Sequence, residues 1–318
     1  MRLLLLGKNG QVGWELQRAL QPLGELVALD RHGLDHPAAG RLVGDLQDPD
    51  GLRRTIEALR PAVIVNAAAY TAVDQAEREP QRAHLINAEA PAALAEAAAR
   101  IGAWLVHYST DYVFDGHGQR PWREEDMAAP LNVYGRSKLA GEQAIRASGC
   151  RHLILRTQWV YGVRGGNFAR TLLRLMRERE RLTVVDDQWG APTGADLIAD
   201  VTAQMLGRLL REPQAATLVG TYHLAATGAT TWHGYASWLW QLAQQQWPEA
   251  GWRTTAIEPV PTEAYPTPAL RPRNGRLDTT RLQLVFGLQL PDWRWGVQRW
   301  LQSVALPPLT ADLAGARG

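Results

Sequence analysis

Tyr134 and Lys138 stand four residues apart in the run LNVYGRSKLAGE. On a helix that spacing puts two side chains on one face. An ammonium beside a phenol favours the phenolate and lowers the tyrosine pKa. Such a phenol can hand a proton to a reacting oxygen near neutral pH. A solvated Tyr and Lys at helical spacing would read the same way. The choice of cations separates the two readings. Of 34 Lys and Arg residues, only Lys8 and Lys138 are lysines. Arg stays protonated, whereas Lys is a compact charge whose pKa responds to burial, so a lysine kept in an arginine-rich chain points to chemistry. Just upstream, the apolar run WLVHYST ends in the polar cluster Ser109-Thr110-Asp111. A strand ending there would deliver hydroxyls beside the Tyr/Lys helix.

A second constellation lies at the N-terminus. Residues 2–6, RLLLL, read as a buried strand, followed by glycines at 7, 10 and 13 and a helix carrying Trp14, Leu16 and Leu20. Glycines permit a tight turn and close backbone approach. The amides and dipole of the helix start favour a pyrophosphate. Residues 25–30 read as the next strand, ending in Asp30. An acid there suits the ribose hydroxyls of NAD, while the neighbouring Arg31 could neutralise the 2′-phosphate of NADP. Asp45 and Leu46 follow a short apolar stretch; the acid could take an adenine amino group or cap the helix that leads from Asp48-Pro49. Residues 62–70, AVIVNAAAY, read as a buried strand whose small-residue end lets a cofactor lie against the backbone.

These pieces must be positioned by alternating strands and helices. Helices are expected at 52–60, 80–101, 167–180, 232–247 and about 295–305. Further strands are expected at 104–110, 152–157, 182–187, 221–226 and 256–260. The alternation predicts an α/β fold, a doubly wound parallel (Rossmann) sheet over residues 1–160, with later segments able to return to it. Residues 161–306 would build mainly a smaller C-terminal α/β substrate-binding lobe, and residues 307–318 a frayed tail.

Composition narrows the class. The chain has 318 residues, 46% hydrophobic and 21% charged, an ordinary soluble globular balance. A net charge of +2 leaves no nucleic-acid footprint. One cysteine, Cys150, excludes an intramolecular disulfide and fits a reducing cytoplasm. The apolar run at the N-terminus breaks at Gly7, too early for a signal peptide, and no stretch approaches a membrane span. Thirteen Trp residues crowd towards the second half, where packing is their ordinary use.

Taken together, the glycine triplet, Asp30, the Ser-Thr-Asp cluster and Tyr134-x-x-x-Lys138 resemble the extended short-chain dehydrogenase/reductase family. The stretches GKNGQVGWELQ, NAAAYTAVDQAE, HYSTDYVFDG, LNVYGRSKLAGE, DQWGAPTGADL and AYPTPALRPRNGRLDT extend the likeness over nearly the whole chain, towards its nucleotide-sugar 4-ketoreductases. The resemblance implies reduction of a dTDP-linked 4-keto-6-deoxy sugar by NADH or NADPH. It implies Tyr134 as general acid, Lys138 as its tuning cation and holder of the nicotinamide ribose, and Thr110, in place of the more usual Ser, as hydrogen-bond donor to the ketone. Gly7, Gly10, Gln11, Val12 and Gly13 would hold the pyrophosphate, Asp30 the ribose, and Asp45 and Leu46 the adenine; Ala69, Tyr70, Thr71 and Tyr108 would flank the cofactor. Thr110, Asp111 and Trp159 would contact the sugar nucleotide. A cytoplasmic homodimer feeding cell-surface polysaccharide is also implied. Some relatives link dimers through Mg²⁺; Glu15 and Asp196 could supply acids here, but Arg294 stands where another would be sought.

Neighbouring activities are separable. A dehydratase would need an acid–base carboxylate pair beside Thr110, and Asp111 is followed by Tyr112. An epimerase would regenerate its NAD in each turnover. A non-catalytic subunit resembling the regulatory subunit of methionine adenosyltransferase would not require Tyr134, Lys138 and Thr110 together.

Overall fold

The computed structural model describes residues 1–212 and 214–306. Six parallel strands form its centre: β1 (Arg2–Leu6), β2 (Glu25–Leu29), β3 (Val63–Asn66), β4 (Trp104–Thr110), β5 (Arg151–Thr157) and, after an excursion, β7 (Gly220–His223). Their order across the sheet is β7-β5-β4-β3-β1-β2. Strands buried on both faces read as continuous apolar runs rather than alternating ones, and Leu3 to Leu6 of β1 are all fully buried. The register aligns Leu6 with Leu29 and Asn66, and Thr110 with Thr157.

Helices cover both faces. On one, α1 (Gln11–Leu20) and α6 (Ala195–Leu209) bury Leu16, Leu20, Ile198 and Met205 against Leu3, Leu5 and Val106. On the other, α2 (Pro49–Leu59), α3 (Ala90–Ile101) and α4 (Val133–Ala147) pack Leu52, Ile56, Leu94 and Ile145 against Leu4, Leu6 and Leu105. The expected doubly wound parallel sheet is therefore present. The chain runs one way from β1 to β2 and the other way from β1 to β3. That reversal opens a crevice at the carboxyl ends of β1 and β3, where such sheets bind ligands.

Between β5 and β7 and after β7 the chain builds a second packing unit. There β6 (Arg181–Val185) pairs in parallel with β8 (Ala256–Val260). Around them α5 (Phe168–Glu178), α7 (Trp232–Gln246) and α8 (Trp293–Ser303) enclose Leu172, Met176, Tyr235, Trp293 and Trp300. Most of the Trp-rich half is thus packing.

Two expected elements differ. The strand predicted over 62–70 ends at Asn66, because the Asn66 side chain takes the Ala68 N–H and turns the chain out of the sheet. The helix predicted over 80–101 is interrupted by a π turn at Leu85–Glu89 between Pro80–His84 and α3. The tail at 307–318 lies outside the described residues. Among the described residues no helix is long and apolar enough to cross a membrane.

Candidate active site

The glycine turn is a cradle that side chains would fill. Gly7 has φ +84°, and a Cβ on it would lie 2.7 Å from Ala68 N. A Cβ on Gly13 would lie 2.0 Å from the Gly7 carbonyl oxygen. Gly10 caps α1 without a side chain, and the first turn, with Gln11, Val12 and Gly13, carries no acid. Its amides are available to an anion. Asp30 accepts from Asn9 Nδ2 at 2.8 Å and from the His32 N–H at 2.9 Å, and Lys8 Nζ lies 3.6 Å away. Burial pushes the Asp30 carboxyl up, but the His32 N–H, Lys8 and Asn9 together hold it below the usual range.

Gly44 packs so closely on Asp30 that a Cβ would lie 2.4 Å from its carbonyl oxygen. That contact carries Asp45 and the buried Leu46 alongside the cradle. Asp48, not Asp45, caps α2, accepting from the Gly51 N–H at 2.8 Å. The Asp45 carboxylate accepts the local Gln47 N–H, at 3.0 Å. Ala69, Tyr70 and Thr71 follow β3 on the crevice side. The Tyr70 backbone N–H and C=O both bond the Asn87 carboxamide at 2.9 Å. Asn87 had no role from sequence. The π turn presents it, and it also reaches Ser137 Oγ at 3.0 Å, tying β3's exit loop to the Tyr/Lys helix.

α4 starts at Asn132, whose side chain accepts from the Gly135 N–H at 2.8 Å. Tyr134 and Lys138 are 9% and 2% exposed, so the pair belongs to the interior and not to a solvated face. The Tyr134 phenol stands beside Thr110 at the end of β4, and burial pushes it up to about 12, with Thr110 opposing. The lowering by Lys138 expected from the spacing is not what this geometry gives. Lys138 Nζ is instead directed at the Tyr108 carbonyl (2.6 Å) and at His107 Nε2 (3.1 Å). Burial brings Lys138 down to about 8, with Glu142 opposing. Thr110 Oγ1 donates to Asp111 Oδ1 at 3.2 Å. Burial raises Asp111 to about 7. The strand's alternation sends Ser109 with His107 towards α4, beside Glu142. Tyr108 faces the other way, its hydroxyl 2.8 Å from Thr202 Oγ1.

Beyond Thr110 lies the second lobe. Trp159 adopts φ +46°, a left-handed conformation uncommon for a bulky residue. It stacks on Trp232 with ring centroids 3.6 Å apart. Trp232 and Phe168 line an adjoining cavity of about 410 Å³, which Arg179, Arg181 and Arg271 border. Arg271 is clamped by Asp74, Nη2 to Oδ2 at 2.6 Å. The Arg271–Asp74 clamp and the Trp159–Trp232 stack both join residues distant in sequence.

Glu15 and Asp196 are near enough to raise the Glu15 pKa, after burial, through their like charge. They do not form a metal centre. Arg18 Nε lies 3.7 Å from Glu15, and Arg299 Nε 3.8 Å from Asp196, so guanidinium groups stand where a cation would. Arg294 pairs with Asp292, 3.6 Å away, and not with this cluster. Among the described residues no group of three or more His, Cys, Asp and Glu could hold a metal ion.

A glycine cradle at the switch point of a parallel sheet, with a buried Tyr–Thr–Lys set at the same end, is the architecture of an NAD(P)-dependent oxidoreductase of the extended short-chain dehydrogenase/reductase class. Residues 1–306 match the family described as RmlD substrate binding domain, and the chain belongs to that family. It is 53% identical to the dTDP-4-dehydrorhamnose reductase of Shigella flexneri, over 96% of this chain and 98% of that one. Among solved structures, the dTDP-4-dehydrorhamnose reductase of Clostridium acetobutylicum superposes with a TM-score of 0.84 at 32% identity, covering 95% and 99% of the two chains. The Bacillus anthracis dTDP-4-dehydrorhamnose reductase, solved in complex with NADP, gives 0.81 at 34% identity, covering 95% and 99%.

Proposed function

We propose that the protein reduces the 4-keto group of dTDP-4-dehydro-L-rhamnose to dTDP-L-rhamnose, the last step in making that sugar nucleotide for cell-surface polysaccharide. The observation that carries the reading is the buried Tyr134 beside Thr110 at the carboxyl end of β4, at the same end of the sheet as the glycine cradle. The cradle fits a dinucleotide: Gly7 and Gly13 leave room that a Cβ would occupy, and Gln11 to Gly13 offer unopposed amides. Asp30 would take the adenosine ribose of NADH, and Lys8 and Arg31 would meet the 2′-phosphate of NADPH, so both cofactors serve. Asp45 and Leu46 would border the adenine; Ala69, Tyr70, Thr71 and Tyr108 would flank the nicotinamide half.

Bound nicotinamide supplies the hydride. As negative charge develops on the ketone oxygen, Thr110 and Tyr134 donate hydrogen bonds to it, and Tyr134 transfers its proton. Lys138 holds the cofactor ribose and faces the phenol's side of the helix. Asp111 and Trp159 orient the sugar. The cavity bordered by Arg179, Arg181 and Arg271 would receive the nucleotide and its diphosphate, which arginine forks suit. A cytoplasmic homodimer is the working assembly proposed.

Tyr134→Phe tests the reading. It should keep NADPH binding, followed by cofactor fluorescence, and lose about 10²–10⁴ in kcat with the 4-keto sugar. Reduction at the parental rate would remove Tyr134 from the acid role.

A further inference from the structure

His107, on β4 against Lys138, is 1% exposed. Its Nδ1 lies 3.2 Å from Asn66 Nδ2, and its Nε2 3.1 Å from Lys138 Nζ. A neutral imidazole has one donor and one acceptor nitrogen, so the two contacts are not independent. The choice is made two residues beyond β3. The Ala68 N–H can only donate, and its acceptor is Asn66 Oδ1 at 3.2 Å. That bond turns the Asn66 NH₂ group towards His107. Nδ1 must then accept, the ring proton sits on Nε2, and the Nε2–H points at Lys138. At the far end Nζ donates to the Tyr108 carbonyl at 2.6 Å.

We propose that His107 is a positioning residue that favours the uncharged amine of Lys138: its Nε2–H donates into the Nζ lone pair, completing a one-way chain from the Ala68 N–H through Asn66 and His107 to Lys138 and the Tyr108 carbonyl. The proposal rests on the reading of Lys138 as the partner of Tyr134. Of the charged and titratable groups around Nζ, the Glu142 carboxylate opposes it by favouring the ammonium. On α4 they are Tyr134 and Glu142, on β4 His107, and on β5 Arg156, whose charge is engaged by Glu142. The π turn facing α4 brings the neutral Asn87. Burial, then Lys138 itself, hold His107 well below its ordinary value, so the ring stays neutral. A hydrogen bond to the neutral form of a base makes its charged form a better proton source.

Because the chain has only two lysines, the test is direct. Protein labelled at lysine Cε with the NMR-active carbon isotope gives one signal for Lys8 and one for Lys138, assigned with Lys8→Arg. The parental Lys138 signal should titrate well below that of Lys8. His107→Phe keeps a ring but removes the N–H; the Lys138 midpoint should rise by about one pH unit, and the alkaline limb of kcat should move up with it. His107→Gln, which can turn its amide oxygen to an ammonium, should also raise the midpoint and carries the test if the Phe variant does not fold. A ring that accepts at Nε2 requires the opposite sign. A midpoint that falls or stays fixed in the folded variants overturns the proposal. Failure of the reductase reading would show separately, as unimpaired turnover by Tyr134→Phe with the lysine midpoints unaffected.

Discussion

Glu142→Gln should cost the protein about 3 kcal/mol of stability near neutral pH. Glu142 is fully buried one turn beyond Lys138. Its oxygens receive Arg156 Nε at 2.9 Å and Nη2 at 2.7 Å, a bidentate pair, and Arg146 Nη1 at 3.1 Å. Arg156 is itself 3% exposed. Removing one partner of a buried pair costs about 3–5 kcal/mol, because the other charge is left uncompensated. Gln keeps the shape and one acceptor oxygen, which places the loss at the lower end of that range. The Phe114 ring, 5.0 Å from the Arg156 guanidinium, offsets only about 1 kcal/mol. The pH dependence is a second handle. Burial pushes the Glu142 carboxyl up, but Arg156, then Ser109 and Arg146, hold it below its ordinary 4.5. A depressed carboxyl stabilises the fold above its unfolded pKa, and that stabilisation is lost as pH falls through the folded pKa. The deficit of the variant should therefore be full at neutral pH and shrink as pH drops below about 4. Urea unfolding of parent and variant across that range measures it. Equal stabilities at neutral pH, or a deficit that does not narrow in acid, would refute the pair's role.

Two further outcomes follow from backbone geometry. Gly13→Ala places a methyl 2.0 Å from a carbonyl oxygen that cannot retreat; NADPH binding should weaken at least tenfold by calorimetry, with the lobe's cavity still able to take dTDP. Trp159→Gly should be more stable than Trp159→Ala by about 1 kcal/mol in urea unfolding, because φ +46° suits glycine and the lost stacking on Trp232 is common to both; the reverse order would show that the left-handed turn is not strained.

Much of the fold was legible because its strands are short apolar runs bounded by glycine, proline or polar residues. WLVHYST and AIEPV coincide with β4 and β8. What was not legible depended on particular side-chain partners, most of them distant in sequence. β3 ends early because Asn66 bonds the Ala68 N–H, a local event that an apolar pattern does not carry. The π turn answers to Asn87, whose backbone oxygen would lie 2.2 Å from a Cβ on Gly141, fifty-odd residues on by rough count. In the site, the Tyr/Lys spacing was sufficient to place two side chains on one helix face. It could not say that the ammonium would turn to His107 and the Tyr108 carbonyl, since those lie on another strand. The same limit hid Arg299, which faces Asp196 from the other end of the chain.

The return of the chain to the sheet has a consequence for how the protein is made. β7 pairs with β5 only after residues 158–219 have been laid down, and α6 lies within that excursion. Closing a flexible stretch of such length costs roughly 4 kcal/mol in chain entropy. Until it closes, one face of the sheet lacks Ile198, Met205, Tyr222 and Leu224, the residues that cover Leu3, Leu5 and Val106. A chain emerging from the ribosome therefore holds five strands with one face covered only in part, by α1, for much of its synthesis. Fragments that stop short of β7 would keep the glycine cradle in sequence yet present that incompletely covered apolar face to other chains, so aggregation, rather than loss of the site, sets the limit on truncation.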